Sequence, residues 1–305
     1  FCKLRLEKYN AAMKDFNRAL QKNARLKRAY YFRAIGKANL KDTAATLTDL
    51  SQALEIDSSY TDAYVTRGRI FHQTGKYLQA LDDFIECQND DLKNSIALIN
   101  RSLTYYELKK YEKAMNDLNH LISIEPDNAL AYYNRALLKS EIGAYNDAID
   151  DYNQVLKYNP QNILTYFNRG ILRMETNDYA KAIRDFTMAI KLYPDFAKAY
   201  INRSIARKKV NDYQGARNDR QKAEQITQAY QNNRLKRINF ADTTENFRRL
   251  ISLRGSRNLP RQFGNIQKSI KPRAMYSFFL KEHGDHDLTG KIKKYLPDSL
   301  MNQTI

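Results

Sequence analysis

Apolar and small residues recur along this chain at a fixed interval of 34. An aromatic residue or threonine stands at Tyr9, Thr43, Tyr77, Tyr111, Tyr145, Tyr179 and Tyr213. Three residues on come Ala12, Thr46, Ala80, Ala114, Ala148, Ala182 and Ala216. Seven on come Phe16, Leu50, Phe84, Leu118, Tyr152, Phe186 and Arg220, and ten on come Ala19, Ala53, Cys87, Leu121, Val155, Ala189 and Ala223. The spacing i, i+3, i+7, i+10 traces one face of an α-helix. A second helical face precedes each of these. Tyr30, Tyr64, Leu98, Tyr132, Tyr166 and Tyr200 are followed four residues later by Ala34, Gly68, Ser102, Ala136, Gly170 and Ser204. A small residue at that place lets two helices approach closely. Pro126, Pro160 and Pro194 stand where second helices must stop, because proline cannot donate to a continuing helix. Each period therefore predicts an antiparallel helix pair, and stacked pairs bury a continuous core that one pair cannot.

The order aromatic, small residue, then tyrosine, alanine, aromatic, alanine and proline resembles the tetratricopeptide repeat, over residues 1 to about 225. The resemblance implies an all-α fold: a right-handed superhelical solenoid of antiparallel helix pairs, with about six complete units and a partial N-terminal one. It also implies that the first helix of each pair lines the concave face. The chain opens partway through a first helix, as expected of a segment from a longer array. The period stops after Gln225, and residues 226–236 are expected to prolong the last helix as a polar cap. Residues 226–305 thus form a second region, a capping helix and a basic, mostly irregular C-terminal extension. Within it Thr244–Leu253 is a helix candidate, and Gly255, Pro260, Gly264 and Pro272 mark loops. The run Ala274–Leu280 reads as either a short strand or a short helix.

Charge recurs with the same period. Arg33, Arg67, Arg101, Arg135, Arg169 and Arg203 occupy the place that the family usually gives to leucine, on the apolar face of the first helix. Asp15, Asp49, Asp83, Asp117, Asp151, Asp185 and Asp219 recur on the apolar face of the second. Charges of opposite sign on facing surfaces read as an internal ladder, and arginine suits it because its planar fork meets a carboxylate bidentately. The expected pairing is within a repeat, as Arg135 with Asp151 or Arg203 with Asp219. A row of arginines for phosphate binding would have to point outward, and their apolar neighbours argue against that.

Asn100, Asn134, Asn168 and Asn202 immediately precede four of these arginines. In the family this position points into the concave groove, where an amide's donor and acceptor suit the backbone of an extended peptide. Tyr133 and Phe167 stand beside them as expected apolar contacts, and Lys198, Lys208 and Lys209 make the last first helix basic. Some relatives grip a C-terminal carboxylate with lysine at the preceding position. Here that position holds Tyr31, Val65, Ile99, Tyr133, Phe167 and Ile201, so the clamp is missing.

Composition narrows the function classes. The net charge is +17, of which +9 falls in residues 225–305, where 15 basic side chains face 6 acidic ones. A basic face suits acidic protein, nucleic acid or anionic lipid. No run of 18 apolar residues suggests a membrane span. Two distant cysteines, Cys2 and Cys87, make neither a disulfide framework nor a zinc pattern. The stretch Glu282–Asp287 holds two histidines, but nothing elsewhere completes a recognised metal site. There is no glycine-rich phosphate loop, nucleophile elbow or zinc-protease motif. The expectation is a non-catalytic scaffold, without metal or cofactor, that binds an extended peptide or partner protein in its groove. The alternative is an RNA-binding helical-repeat protein using its basic surface. A weaker likeness to long bacterial tetratricopeptide proteins with a basic tail implies the cell envelope or periplasm, and otherwise the cytoplasm.

Overall fold

Helices occupy nearly all of residues 9–87 and 95–232, the residues that the computed structural model describes, and no strand occurs among them. The expected helix Thr244–Leu253, the run Ala274–Leu280 and the histidine stretch lie outside the described residues. In chain order the helices are α1 (Tyr9–Lys22), α2 (Lys27–Asn39), α3 (Thr43–Ile56), α4 (Thr61–Gln73), α5 (Tyr77–Glu86), α6 (Ser95–Glu107), α7 (Tyr111–Ile124), α8 (Ala129–Glu141), α9 (Tyr145–Tyr158), α10 (Ile163–Glu175), α11 (Tyr179–Leu192), α12 (Ala197–Lys209) and α13 (Tyr213–Gln231). Even-numbered helices are the first members of their repeats and odd-numbered ones the second. Successive helices pack against each other, as α2 does on α3 and α12 on α13. The fold class is an all-α repeat solenoid. The last helix, α13, runs six residues past Gln225, and Tyr230 near its end contacts the Tyr193 hydroxyl and the Asp195 carbonyl.

The chain divides into two compact units between Leu138 and Lys139, inside α8. In the first unit, Leu50, Ala53, Leu54, Ala34 and Ala63 form one buried cluster, ringed by Tyr30, Tyr31, Tyr60 and Tyr64. In the second, Phe167, Phe186, Ile163, Tyr193 and Phe196 are at the centre of the core.

Two local devices recur. The turn from first to second helix uses one left-handed residue: Lys41, Gly75, Lys109, Gly143, Asn177 or Asn211, with φ between 57° and 81°. Glycine and asparagine adopt this conformation readily, whereas lysine carries a Cβ penalty. The small residue of each first helix is matched to its partner. A Cβ on Gly170 would stand 2.7 Å from Phe186 Cε1, and one on Gly68 would stand 2.7 Å from Phe84 Cε1. Glycine therefore faces phenylalanine, whereas leucine stands at the same sixteen-residue offset from Ala34 and Ser102, at Leu50 and Leu118.

Candidate binding face

Each first helix presents two faces with different chemistry. On the face turned to the second helix, arginine and aspartate meet sixteen residues apart. In the first unit Arg33 holds Asp49, Arg67 holds Asp83 and Arg101 holds Asp117; in the second Arg169 holds Asp185 and Arg203 holds Asp219. In every case Nε and Nη2 donate to the carboxylate at 2.5–3.0 Å, and Arg67 Nε is shared with the second Asp83 oxygen at 3.3 Å. Arg135 and Asp151 fall on opposite sides of the division at Leu138. These arginines are committed to carboxylates and bury most of their length, so they do not form an outward phosphate-binding row.

Three further contacts complete the ladder, and none of them was among the expected ones. The guanidinium lies over the ring three residues earlier, Arg33 on Tyr30 at 5.2 Å and Arg203 on Tyr200 at 5.4 Å. Nη1 reaches back to the preceding second helix: Arg33 to Asn17, Arg67 to Ser51, Arg135 to Asn119, Arg169 to Asn153 and Arg203 to Thr187, at 2.6–3.0 Å. A second cation one turn along also reaches an aspartate, as Lys37 does Asp49, Lys139 Asp151, Arg173 Asp185 and Arg207 Asp219. The signals were constant offsets from the ladder arginine, 16 residues back and 4 residues on. Phe71 and Tyr105 hold that last position in the repeats of Asp83 and Asp117, so among the described residues Arg67 and Arg101 are the cations paired with those carboxylates. The electrostatics follow. Burial pushes the Asp83 carboxyl above its ordinary range, with the Arg67 bonds pulling it back. Bonds to Asp49 raise Arg33, whereas burial beside Arg169 lowers Arg173 despite Asp185.

The other face is shared by consecutive first helices, α4 with α6 in the first unit and α10 with α12 in the second. In the second unit it carries Leu164, Asn168 and Ile171 of α10, all half-buried, and Lys198, Ile201, Asn202 and Ile205 of α12, half-buried or exposed. In the first unit it carries Thr66 and Arg69 of α4 beside Ile96, Asn100 and Leu103 of α6, again half-buried. The asparagine amides have a fixed orientation. Asn100, Asn134 and Asn202 donate from Nδ2 to the carbonyl one turn earlier, at Ile96, Leu130 and Lys198, at 2.7–2.9 Å. At the half-buried Asn100 and Asn202 the oxygen then remains as an acceptor for an incoming N–H.

Three expected groove residues need correction. Phe167 is 1% exposed and packs on Phe186 and Phe196, with ring centroids 5.9 and 4.7 Å away, so it is core. The reason is its neighbour: Gly170 leaves room that the Phe186 ring fills, and Phe167 closes over that ring. Tyr133 is 6% exposed and belongs to the buried set of α8. Asn134 is 4% exposed, and its Oδ1 is buried without a hydrogen-bond partner. Ile201, at the position equivalent to Phe167, is instead 45% exposed. Lys208 and Lys209 are exposed in the last turn of α12, while Lys198 in its first turn is half-buried.

Comparison with known proteins places the repeat. A model of the tetratricopeptide repeat matches residues 163–196, and a second TPR-repeat model matches residues 103–143 and 140–176. Among solved structures, a tetratricopeptide repeat protein from Parabacteroides merdae ATCC 43184 superposes with a TM-score of 0.55 at 23% identity, covering 63% of this chain and 77% of that one. MamA gives 0.53 at 20%, covering 59% and 98%. YrrB, described as a TPR protein with an unusual peptide-binding site, gives 0.50 at 20%, covering 60% and 95%. At these identities the likeness is one of fold. No curated protein matches the chain.

Proposed function

The chain is a tetratricopeptide-repeat protein, and from that premise we propose that it is a non-catalytic scaffold which binds an extended polypeptide on the face shared by its first helices. The observation that carries this reading is the composition of that face on α10 and α12. Leu164, Ile171, Ile201 and Ile205 supply apolar contact between repeats, and Asn168 and Asn202 stand one repeat apart among them. Side-chain amides spaced in this way match the repeat of a peptide backbone, which offers an N–H and a C=O at every residue. Lys208 and Lys209 at the end of α12 favour acidic residues in the ligand. The unusual peptide-binding site of YrrB is a property of that protein, and it lends the reading support by likeness of fold. The ladder arginines are already paired with aspartates, which weakens the case for an RNA surface.

A displayed library of random dodecapeptides, panned against the full chain, tests the proposal. The expected enrichment is of peptides with alternating apolar residues and an acidic end. Ile201→Asp and Asn202→Ala should each lose the selected peptides, and Asn116→Ala on the outer surface of α7 should keep them. Selected peptides that bind the Ile201→Asp variant as well as the parent would overturn the proposal.

A further inference from the structure

The face shared by α2 and α4 uses the same repeat positions as that of α10 and α12, four periods earlier, and its charges differ. Arg28 stands where α10 has Leu164, and Asp62 stands where α12 has Lys198. The two helices meet through Tyr31. Its hydroxyl lies 3.5 Å from Thr66 Oγ1, and its ring centroid lies 5.2 Å from that of Tyr60, the residue before α4.

Arg28 and Asp62 are both exposed, and among the described residues neither side chain is held by a hydrogen bond or an ion pair. Neighbouring charges are committed elsewhere. Lys27 binds Asp57 and lies over the Tyr60 ring at 5.3 Å. Arg33 and Lys37 of α2 turn to Asp49, and Arg67 of α4 turns to Asp83. Arg69, two turns along α4 from Asp62, is felt at the Tyr31 hydroxyl. Burial pushes the Asp62 carboxyl above its ordinary range, and Arg28 is the cation that pulls it back. The two charges thus sense each other across the face and keep their hydrogen-bonding capacity.

We propose that Arg28 and Asp62 read a charge pair on the bound polypeptide, an acidic residue set over Arg28 and a basic residue set over Asp62. This rests on the reading of the shared face as a peptide-binding surface, and adds to it the charge order and spacing of the ligand. Helices in contact lie about 8–10 Å apart, and an extended chain advances about 3.3 Å per residue. Charges on neighbouring first helices therefore match ligand residues about three positions apart. Opposite signs also exclude. A ligand bearing the pair in reverse order sets like charge against like at both places, which is how an interface rejects a wrong partner. With Leu164 and Lys198 at these positions, α10 and α12 carry one charge there and impose no such order.

Panning the dodecapeptide library against the full chain, and in parallel against the doubly reversed variant Arg28→Asp/Asp62→Arg, tests this. Both side chains are exposed and bond no described neighbour, so the variant should keep the urea midpoint of the parent. Peptides selected on the parent should carry an acidic and a basic residue about three positions apart in one order, and the variant should select the opposite order. By fluorescence anisotropy at low salt, a parent-selected peptide should bind the variant about fivefold more weakly, the scale of two exposed ion pairs. The gap should close as salt rises. Arg28→Gln and Asp62→Asn should each give part of that loss, the first through the acidic residue of the peptide and the second through the basic one. Selected peptides without the charge pair, or with the same order on both proteins, would overturn the inference and leave the shared face as the binding surface. Failure of the parent to select any peptide would overturn that reading as well.

Discussion

The two faces of α10 and α12 put charge and amide to opposite uses. On one face Arg169, Arg173, Arg203 and Arg207 are turned inward onto Asp185 and Asp219, with every carboxylate oxygen occupied. On the other, aliphatic side chains and asparagines stand half-buried or exposed, and the Asn202 amide donates to the Lys198 carbonyl one turn earlier. Repetition alone does not separate the two, because arginine and asparagine recur at adjacent positions with the same period. What separates them is whether the partner is supplied by the next helix of the chain or must come from outside. The ladder is thus read as register and stability, and the shared face as recognition.

The largest expected effect lies in the ladder. Asp185→Ala leaves Arg169 and Arg173 buried without their carboxylate and should cost about 3–5 kcal/mol in urea unfolding. Asp83→Asn removes a carboxylate that faces one arginine and is already raised by burial. It should cost clearly less, and equal losses would break the distinction between one-cation and two-cation rungs. Next comes packing. Gly170→Ala should destabilise by about 1–3 kcal/mol through the Phe186 ring, although alanine is the better helix former. Smaller, and of opposite sign, is Lys109→Gly, which relieves a lysine at φ 57° and should add about 1 kcal/mol. Thermal unfolding of each variant checks both.

Two carboxylates of the first unit should also respond to pH in opposite directions. Asp57, held at about 2 by bonds from Lys27 and Ser59, contributes stability above the ordinary carboxylate range and loses it as pH falls through about 2. Asp83 is raised by burial, so the folded state takes up its proton more readily than the unfolded chain. Its contribution is therefore greatest in acid and declines as pH rises through its raised value. Asp57→Asn should flatten the acid limb of a stability profile, and Asp83→Asn should remove the decline. Identical profiles for the two variants would contradict this contrast.

The helix pairs were legible because a period of 34 is visible in side-chain type, and small residues report close approach without any structure. Ladder residues were legible for the same reason, since arginine and aspartate recur at a constant offset of sixteen. The second cation is not legible in the sequence because Phe71 and Tyr105 interrupt its recurrence. Phe167 and Tyr133 were misplaced for a different reason. Position in the repeat assigns a residue to a face, but depth depends on what the neighbour leaves open. Phe167 sinks into the core with Phe186, while Ile201 at the equivalent place stays at the surface in a repeat that has Ser204 and Arg220 where the other has Gly170 and Phe186. Asn134 likewise shares a repeat position with Asn202 and differs from it in burial.

The most direct test sets the two faces against each other in one titration. A peptide selected on the parent chain is titrated by fluorescence anisotropy into Ile201→Asp/Asn202→Ala and, separately, into Asp185→Ala at a temperature where it remains folded, with the urea midpoint of each measured alongside. The account predicts at least tenfold weaker binding with a midpoint near that of the parent for the first variant. For the second it predicts a much lower midpoint with parent-like affinity. Parent-like affinity in the Ile201→Asp/Asn202→Ala variant would contradict the assignment of recognition to the shared face of the first helices.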